Sequence, residues 1–298
     1  MIDPMPLHTR RAFFATAASA ATALAQPAGA LIDIHQHTDY TGRSDEALIA
    51  HQDKMGITKT VLLPAGSRYG LEAEATGNDR CLELVRRYPA KFTMFANEVP
   101  YDDNFGEVVE KYLKLGAIGI GEQKFFVDVL SPVMDKIATV AQANGVPVLL
   151  HFQHERYNVN YDQFYKVLAK YPRVNFIGHA QTFWANVDSN QIQDILYPKW
   201  KVTAGGWTDR FLRDYPNMFA DLSAGSGLNS MTRDLDHARA FVARHQDKLI
   251  YGSDCNDSMG TGPKCSGSEQ IAMMRKLAPN PAALRKIFEL NAKKVMKV

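Results

Sequence analysis

The chain has 298 residues, 46% of them hydrophobic and 22% charged, and its formal net charge is +2. This is ordinary globular composition, with apolar material for one large core. No lysine and arginine stripe with interleaved aromatics is present, so nucleic acid is not expected as the main partner. No apolar run approaches the roughly 20 residues that span a bilayer.

The N-terminal segment reads differently from the rest. Thr9-Arg10-Arg11-Ala12-Phe13-Phe14 precedes an alanine-rich, weakly apolar run over 15–25, and Ala23-Leu24-Ala25 has the small-x-small form of a signal-peptidase site. Paired arginines before a mild hydrophobic segment are the pattern of a twin-arginine export signal. The expectation is a signal over 1–25, a mature chain starting near Gln26, a periplasmic or exported protein, and the twin-arginine machinery as a transient partner.

From residue 31 onward, short apolar runs alternate with helical patterns. Strands are expected over 31–35, 57–63, 92–96, 117–121, 146–150, 174–178, 217–222 and 248–252. Helices are expected between them: 44–56, capped by Ser44 and closed by Gly56, then 71–88, 105–115, 133–143 and 161–171. The C-terminal stretch 268–297 reads as helical in two pieces, broken near Pro279 and Pro281. The connection over 181–216 is long, and its Gly205-Gly206-Trp207 segment is expected as a flap over the barrel mouth. Eight strands with helices between them specify a single-domain α/β fold, a closed (β/α)8 TIM barrel over 26–298. The first strand runs into His-Gln-His rather than a glycine-rich phosphate turn, which disfavours a doubly wound sheet.

In such a barrel the C-terminal strand ends share one cup. Here they carry Asp33, His35 and His37 (strand one), Glu122 (four), His151 (five), His179 (six) and Asp254 (eight). Residues i and i+2 of a strand face one side, so His35 and His37 can grip one ion. Neutral imidazoles with a carboxylate suit Zn2+, Fe2+, Mn2+ or Ni2+ better than Ca2+ or Mg2+.

Asp-x-His-x-His on strand one, histidines at strands five and six, and Gly-Ser-Asp at strand eight resemble the amidohydrolase superfamily. Within it the motifs resemble the amidohydrolase-related branch, which also contains aminocarboxymuconate-semialdehyde decarboxylase-like lyases. The resemblance runs from about residue 31 to 296. It implies that His35, His37, His151 and Asp254 hold the metal, with one Zn2+ per chain as the expectation, and it implies a homo-oligomer. Asp254 and His179 are then the catalytic pair: Asp254 accepts a proton from the attacking water, and His179 polarises the substrate carbonyl or acts as a second base. Strand four departs from the two-metal pattern of a carboxylated lysine, reading Gly119-Ile120-Gly121-Glu122-Gln123-Lys124. Glu122 and His179 are accordingly candidates for bridging a second ion, with a salt bridge from Glu122 to Lys124 or Arg156 as the structural alternative.

Lys124, Arg156, Arg68 and Trp184 are candidate contacts for a small-molecule substrate. His51, His237 and His245 fall in helical stretches and are expected at the surface, and Asp221 is either a supporting group of the site or a structural partner. Cys81 reads as a buried small apolar residue. Cys255 and Cys265 flank a short loop and could pair in an oxidising compartment. The expected activity is hydrolysis of a lactone, amide or ester by metal-activated water. Non-oxidative decarboxylation of an unsaturated or aromatic acid is the alternative.

Overall fold

The computed structural model describes residues 1, 29–66 and 75–298. The proposed signal segment and Arg68 lie outside these residues. The strands are β1 (Ile32–Gln36), β2 (Lys59–Leu62), β3 (Phe92–Met94), β4 (Ile120–Gln123), β5 (Val148–His151), β6 (Phe176–His179), β7 (Met218–Asp221) and β8 (Leu249–Ile250). All neighbouring pairs are parallel and follow chain order, β1-β2-β3 in one sheet and β4-β5-β6-β7-β8 in another. Backbone hydrogen bonds cross both seams. Ile118 N donates to Met94 O at 2.9 Å and Ala96 N to Gly119 O at 2.9 Å, while Ile34 N donates to Tyr251 O at 3.2 Å. These bonds close the eight strands into a barrel.

The helices are α1 (Asp45–Met55), α2 (Asn78–Arg87), α3 (Phe105–Lys114), α4 (Pro132–Asn144), α5 (Tyr165–Lys170), α6 (Ala180–Ala185), α7 (Trp207–Asp214), α8 (Ala224–Thr232), α9 (Leu235–His245), α10 (Ser266–Leu277), α11 (Pro281–Arg285) and α12 (Asn291–Met296). The Ser44 cap is as expected, its side chain accepting from Ala47 N, and Gly56 ends α1 in the left-handed region. The helix expected over 161–171 is a 3-10 turn followed by the six-residue α5.

Two apolar layers build the interior. Ile32, Ile34, Val61, Leu63, Phe95, Leu149, Ile177, Phe219 and Ile250 form the inner cluster, to which α12 adds Ala292, Val295 and Met296. The larger cluster packs the outer strand faces against the helices. Along β1 the pairing with β2 slips between Asp33 and Gln36. Ile34 joins the inner cluster, the adjacent His35 meets Glu122, Asp221 and Asp254, and Asp33 accepts from Gln52 of α1. A similar slip lies between Ile120 and Gln123 on β4, beside Glu122.

The segment 205–207 leads into α7, which is anchored at Thr208, and its Trp207 lines a cavity beside β5 and β6. Thr208 N donates to Asn186 O at 3.1 Å, and Thr208 Oγ1 to the Phe183 carbonyl. A side chain at Gly206 would meet Asn186 O at 2.2 Å, so the close approach there requires glycine.

Candidate metal centre

Six side chains converge at the C-terminal ends of the strands: His35, His37, Glu122, His151, His179 and Asp254. Hydrogen bonds at the far side of three imidazoles fix their orientation. His35 Nδ1 meets Asp221 Oδ2 at 2.6 Å, His37 Nδ1 meets Leu63 O at 2.8 Å, and His179 Nδ1 meets Ser223 Oγ at 2.9 Å. Such partners fix the tautomer and aim the other nitrogen, as they do around bound metals. Each Nε2 accordingly points at carboxylate oxygens. Asp254 Oδ1 lies 3.8 Å from His35 Nε2 and 3.5 Å from His37 Nε2, and Asp254 Oδ2 lies 3.6 Å from His179 Nε2.

The residues group into trios whose ligand atoms lie within 4.8 Å of one another, among them His35–His37–Asp254 and Glu122–His151–His179. Three of the four residues expected to share an ion thus meet in the first trio, and His151 meets Glu122 in the second. Glu122 faces both. Its Oε2 lies 3.6 Å from both His35 and His37 Nε2, and its Oε1 lies 2.5 Å from His151 Nδ1 and 3.6 Å from His179 Nε2. The partners of Glu122 are therefore imidazoles, in place of the salt bridge to Lys124 or Arg156.

The donor set fits a divalent transition ion. His35 and His37 bring their Nε2 atoms to 3.2 Å, a separation that suits two lone pairs directed at one cation. His151 Nε2 is buried with no hydrogen-bond partner. Burial opposes ionisation of Glu122 and Asp254, yet the surrounding imidazoles hold both carboxyls well below the usual range. Burial likewise opposes charge on His35, but Asp254 and Asp221 override it and hold its pKa well above the ordinary value. For His151 burial wins and the pKa falls; Asp221, despite burial, is drawn down to about 2 by His35 and His179. Buried carboxylates that hold positive charge on an imidazole among them, shut away from water, are the chemistry of a cation site, where a divalent ion would replace the proton that Asp254 and Asp221 keep on His35.

Supporting groups surround this array. Tyr40 Oη donates to Asp254 Oδ1 at 2.9 Å. Asp33 accepts from His35 N at 3.0 Å and Ser253 N at 2.9 Å, tying β1 to the segment after β8. Burial raises the Asp33 pKa against those bonds. Tyr40 and Ser223 escaped the sequence reading: Tyr40 sits in an irregular turn, and Ser223 follows Asp221 at the i+2 spacing that marks strand one.

The proposed substrate contacts separate. Lys124 Nζ and Arg156 lie 5.6 Å and 5.4 Å from the Tyr157 ring centroid, and that ring meets His151 edge-on at 5.3 Å. Trp184 is buried among aromatic side chains and is absent from the walls of the cavities seen among the described residues. It is only 1% exposed, packs against Phe183 and Phe241, and donates from Nε1 to Asp221 O at 2.8 Å. A cavity of about 260 Å3 beside β5 and β6 is lined instead by Gln153, His154, Asn158, Thr182, Asn186 and Trp207, among others. His51 and His245 are buried rather than superficial, and His237 is partly buried. Cys81 is buried as expected, and Cys255 and Cys265 are unbonded thiols.

Comparison with known proteins gives the family and the fold. Residues 32–298 match the family model described as amidohydrolase. Among solved structures, a probable 2-pyrone-4,6-dicarboxylic acid hydrolase from Acinetobacter baumannii superposes with a TM-score of 0.63 at 16% identity, covering 90% of this chain and 99% of that one. A 2,6-dihydroxybenzoate decarboxylase from Rhizobium gives 0.56 at 14% identity, covering 90% and 99%. A 5-carboxyvanillate decarboxylase from Novosphingobium aromaticivorans, complexed with manganese, gives 0.58 at 14% identity, covering 92% and 97%. No functionally curated protein matches the sequence. At these identities the likeness shows the fold alone.

Proposed function

This chain belongs to the amidohydrolase family, and from that premise we propose that it is a metal-dependent hydrolase of a small-molecule lactone, ester or amide. The observation that carries this reading is the position of Glu122 between two pairs of histidines. A carboxylate so placed suits a ligand bridging two divalent ions, and paired ions are a hydrolytic device. His35, His37 and Asp254 would hold one ion; His151 and His179, with Glu122 between, would hold the other. His179 then serves as a ligand rather than as the carbonyl-polarising donor that a one-ion site would need. A divalent ion supplies Lewis acidity and lowers the pKa of water from 15.7 to about 7.

The chain's own groups handle the proton and the substrate. Asp254 is the most exposed of the three carboxylates facing the histidines, its side chain 13% exposed against 3% for Glu122 and none for Asp221. A proton accepted there passes readily to solvent. Tyr40 holds Oδ1, which leaves Oδ2 turned toward His179. Lys124 and Arg156, beside Tyr157, suit a substrate bearing a carboxylate.

Decarboxylation is the second reading, favoured by the same cations, since Lys124 or Arg156 would then face the leaving carboxylate. The two reactions separate in 18O-labelled water. Ring-opened or cleaved product carrying one solvent oxygen is expected from a panel of lactones, esters and amides. Release of CO2 from aromatic or unsaturated acids, with no cleavage of the panel, overturns the hydrolase reading. Elemental analysis giving two divalent ions per chain, Zn2+ or Mn2+, supports the bridging role of Glu122; one ion per chain returns His179 to the role of donor. We further propose export through the twin-arginine pathway, supported by Arg10-Arg11 ahead of the alanine-rich run. N-terminal sequencing of periplasmic material should begin near Gln26, and a protein retained unprocessed in the cytoplasm would refute it.

A further inference from the structure

A second cluster of metal-ligating side chains lies outside the proposed catalytic cup. Cys255, Cys265 and His51 are all buried, and their ligand atoms lie within 4.8 Å of one another. The sulfurs of Cys255 and Cys265 are 3.5 Å apart, and Cys265 Sγ lies 3.3 Å from His51 Nε2. Met55 adds a thioether, its Sδ 3.7 Å from Cys265 Sγ. Two ligands sharing a tetrahedral Zn2+ at about 2.3 Å (sulfur) and 2.0–2.1 Å (nitrogen) stand roughly 3.5–3.8 Å apart. The observed separations fall within a few tenths of an ångström of that range.

The surroundings place these atoms firmly. His51 and Met55 are four residues apart on one face of α1. Cys265 caps α10, its sulfur accepting from Ser268 N at 3.4 Å. The Cys255 carbonyl is held by Arg43 Nη1 at 2.8 Å and Gln36 Nε2 at 3.0 Å. Over the top, Gly260 approaches the His51 backbone so closely that a side chain there would meet His51 O at 2.6 Å. The Tyr251 hydroxyl closes another side, 3.8 Å from Met55 Sδ.

We propose that His51, Cys255 and Cys265, with Met55 as a soft fourth ligand, form a closed structural site for a thiophilic d10 cation such as Zn2+ or Cu+. Two thiolates, an imidazole and a thioether select such ions over the hard cations. Binding releases the two thiol protons to solvent and fastens α1, the loop over 255–265 and the start of α10 to one point. Because Cys255 follows Asp254 directly, the ion also steadies the segment that carries that carboxylate. The proposal does not depend on the catalytic reading.

Cobalt distinguishes the two centres, because thiolate-to-Co2+ charge transfer absorbs strongly in the near ultraviolet and the catalytic cup contains no sulfur. Reduced wild-type protein titrated with Co2+ should develop that band to saturation at one thiolate-bound ion per chain. The band should persist in the His35→Ala/His37→Ala variant and vanish in Cys255→Ser/Cys265→Ser, where serine retains the capping acceptor at position 265. His51→Gln should weaken cobalt binding at this site about tenfold or more. Cobalt bound by wild type without the band overturns the site. So does a thiol count of one, rather than three, in denatured protein purified without reductant, since that would mean Cys255 and Cys265 are joined as a disulfide.

Discussion

Asp221 Oδ2 lies 2.6 Å from His35 Nδ1, and both side chains are wholly buried. The contact joins β7 to β1 and fixes which nitrogen of His35 faces the proposed metal position. Ser223 Oγ donates to the same carboxylate oxygen at 2.7 Å and reaches His179 Nδ1 at 2.9 Å, so one carboxylate orients two imidazoles. Gly252 makes the approach feasible, since a side chain there would meet Asp221 Oδ1 at 2.3 Å and His35 Cβ at 3.1 Å.

Removing this support should loosen the metal before it harms the fold. Asp221→Ala is expected to weaken metal affinity about 10–100-fold, the usual effect of losing such a partner. Asp221→Asn keeps an acceptor for His35 and should lose less. Competition against a chelator, with metal counted per chain, measures both. Equal metal retention in wild type and Asp221→Ala would show that Asp221 serves only packing.

Tyr40 offers a contrasting case, because it touches Asp254 and is no ligand itself. Its hydroxyl donates to Oδ1 at 2.9 Å and leaves the carboxylate one fewer stabilising bond when removed. Tyr40→Phe should keep its metal and lower kcat/KM by about 10-fold, the equivalent of ~1.4 kcal/mol, within the range for a hydrogen bond to a charged group. Loss of metal in this variant would instead assign Tyr40 to the integrity of the centre.

The strand-end residues were legible because a barrel gathers strand ends whatever their spacing, and Asp-x-His-x-His, His151, His179 and Asp254 announce themselves by type. Glu122 was legible as a candidate, but its two-sided position was not, since that depends on local slips in register beside β1 and β4. Ser223 and Tyr40 act across 44 and 214 positions of chain, which no local pattern encodes. His51 and His245 carried a signal that the surface expectation overlooked. His51 shares a helical face with Leu48 and Met55, and His245 with Phe241 and Val242, all buried. The helix expected over 161–171 failed because tertiary packing of Tyr161 and Phe164 against Phe152 outweighs the local periodicity.

Trp184 was expected at the pocket because it follows β6 by a few residues. The short helix α6 turns it inward instead, against Phe183 and Phe241, with its indole nitrogen on the Asp221 carbonyl. Trp184→Ala should therefore cost about 3–5 kcal/mol of stability, as large-to-small changes in aromatic cores do. Chemical denaturation measures that loss. The folded fraction should retain the wild-type KM for whichever substrate the protein turns over, and a KM change without loss of stability would restore Trp184 to the substrate pocket.

A last expectation concerns acid. Asp209 on α7 accepts from Arg244 Nη2 at 3.0 Å and pairs with buried His245 Nε2 at 2.5 Å, linking α7 to α9. Partial burial opposes its charge, but the bonds from His245 and Arg244 prevail and lower its pKa from 3.8 to about 2. A carboxylate depressed on folding stabilises the native state above its unfolded pKa, and that contribution fades as pH falls through the folded value. The window is therefore about pH 4 down to about pH 2. The shift corresponds to roughly 1–2 kcal/mol once solvent screening of the partly exposed Arg244 is discounted. Asp209→Asn should be less stable than wild type by about that amount at neutral pH, and the gap should narrow steadily below pH 4. Urea unfolding of both proteins between pH 7 and pH 2 tests it; a gap independent of pH would mean that the α7–α9 link is held by packing and not by the ionised carboxylate.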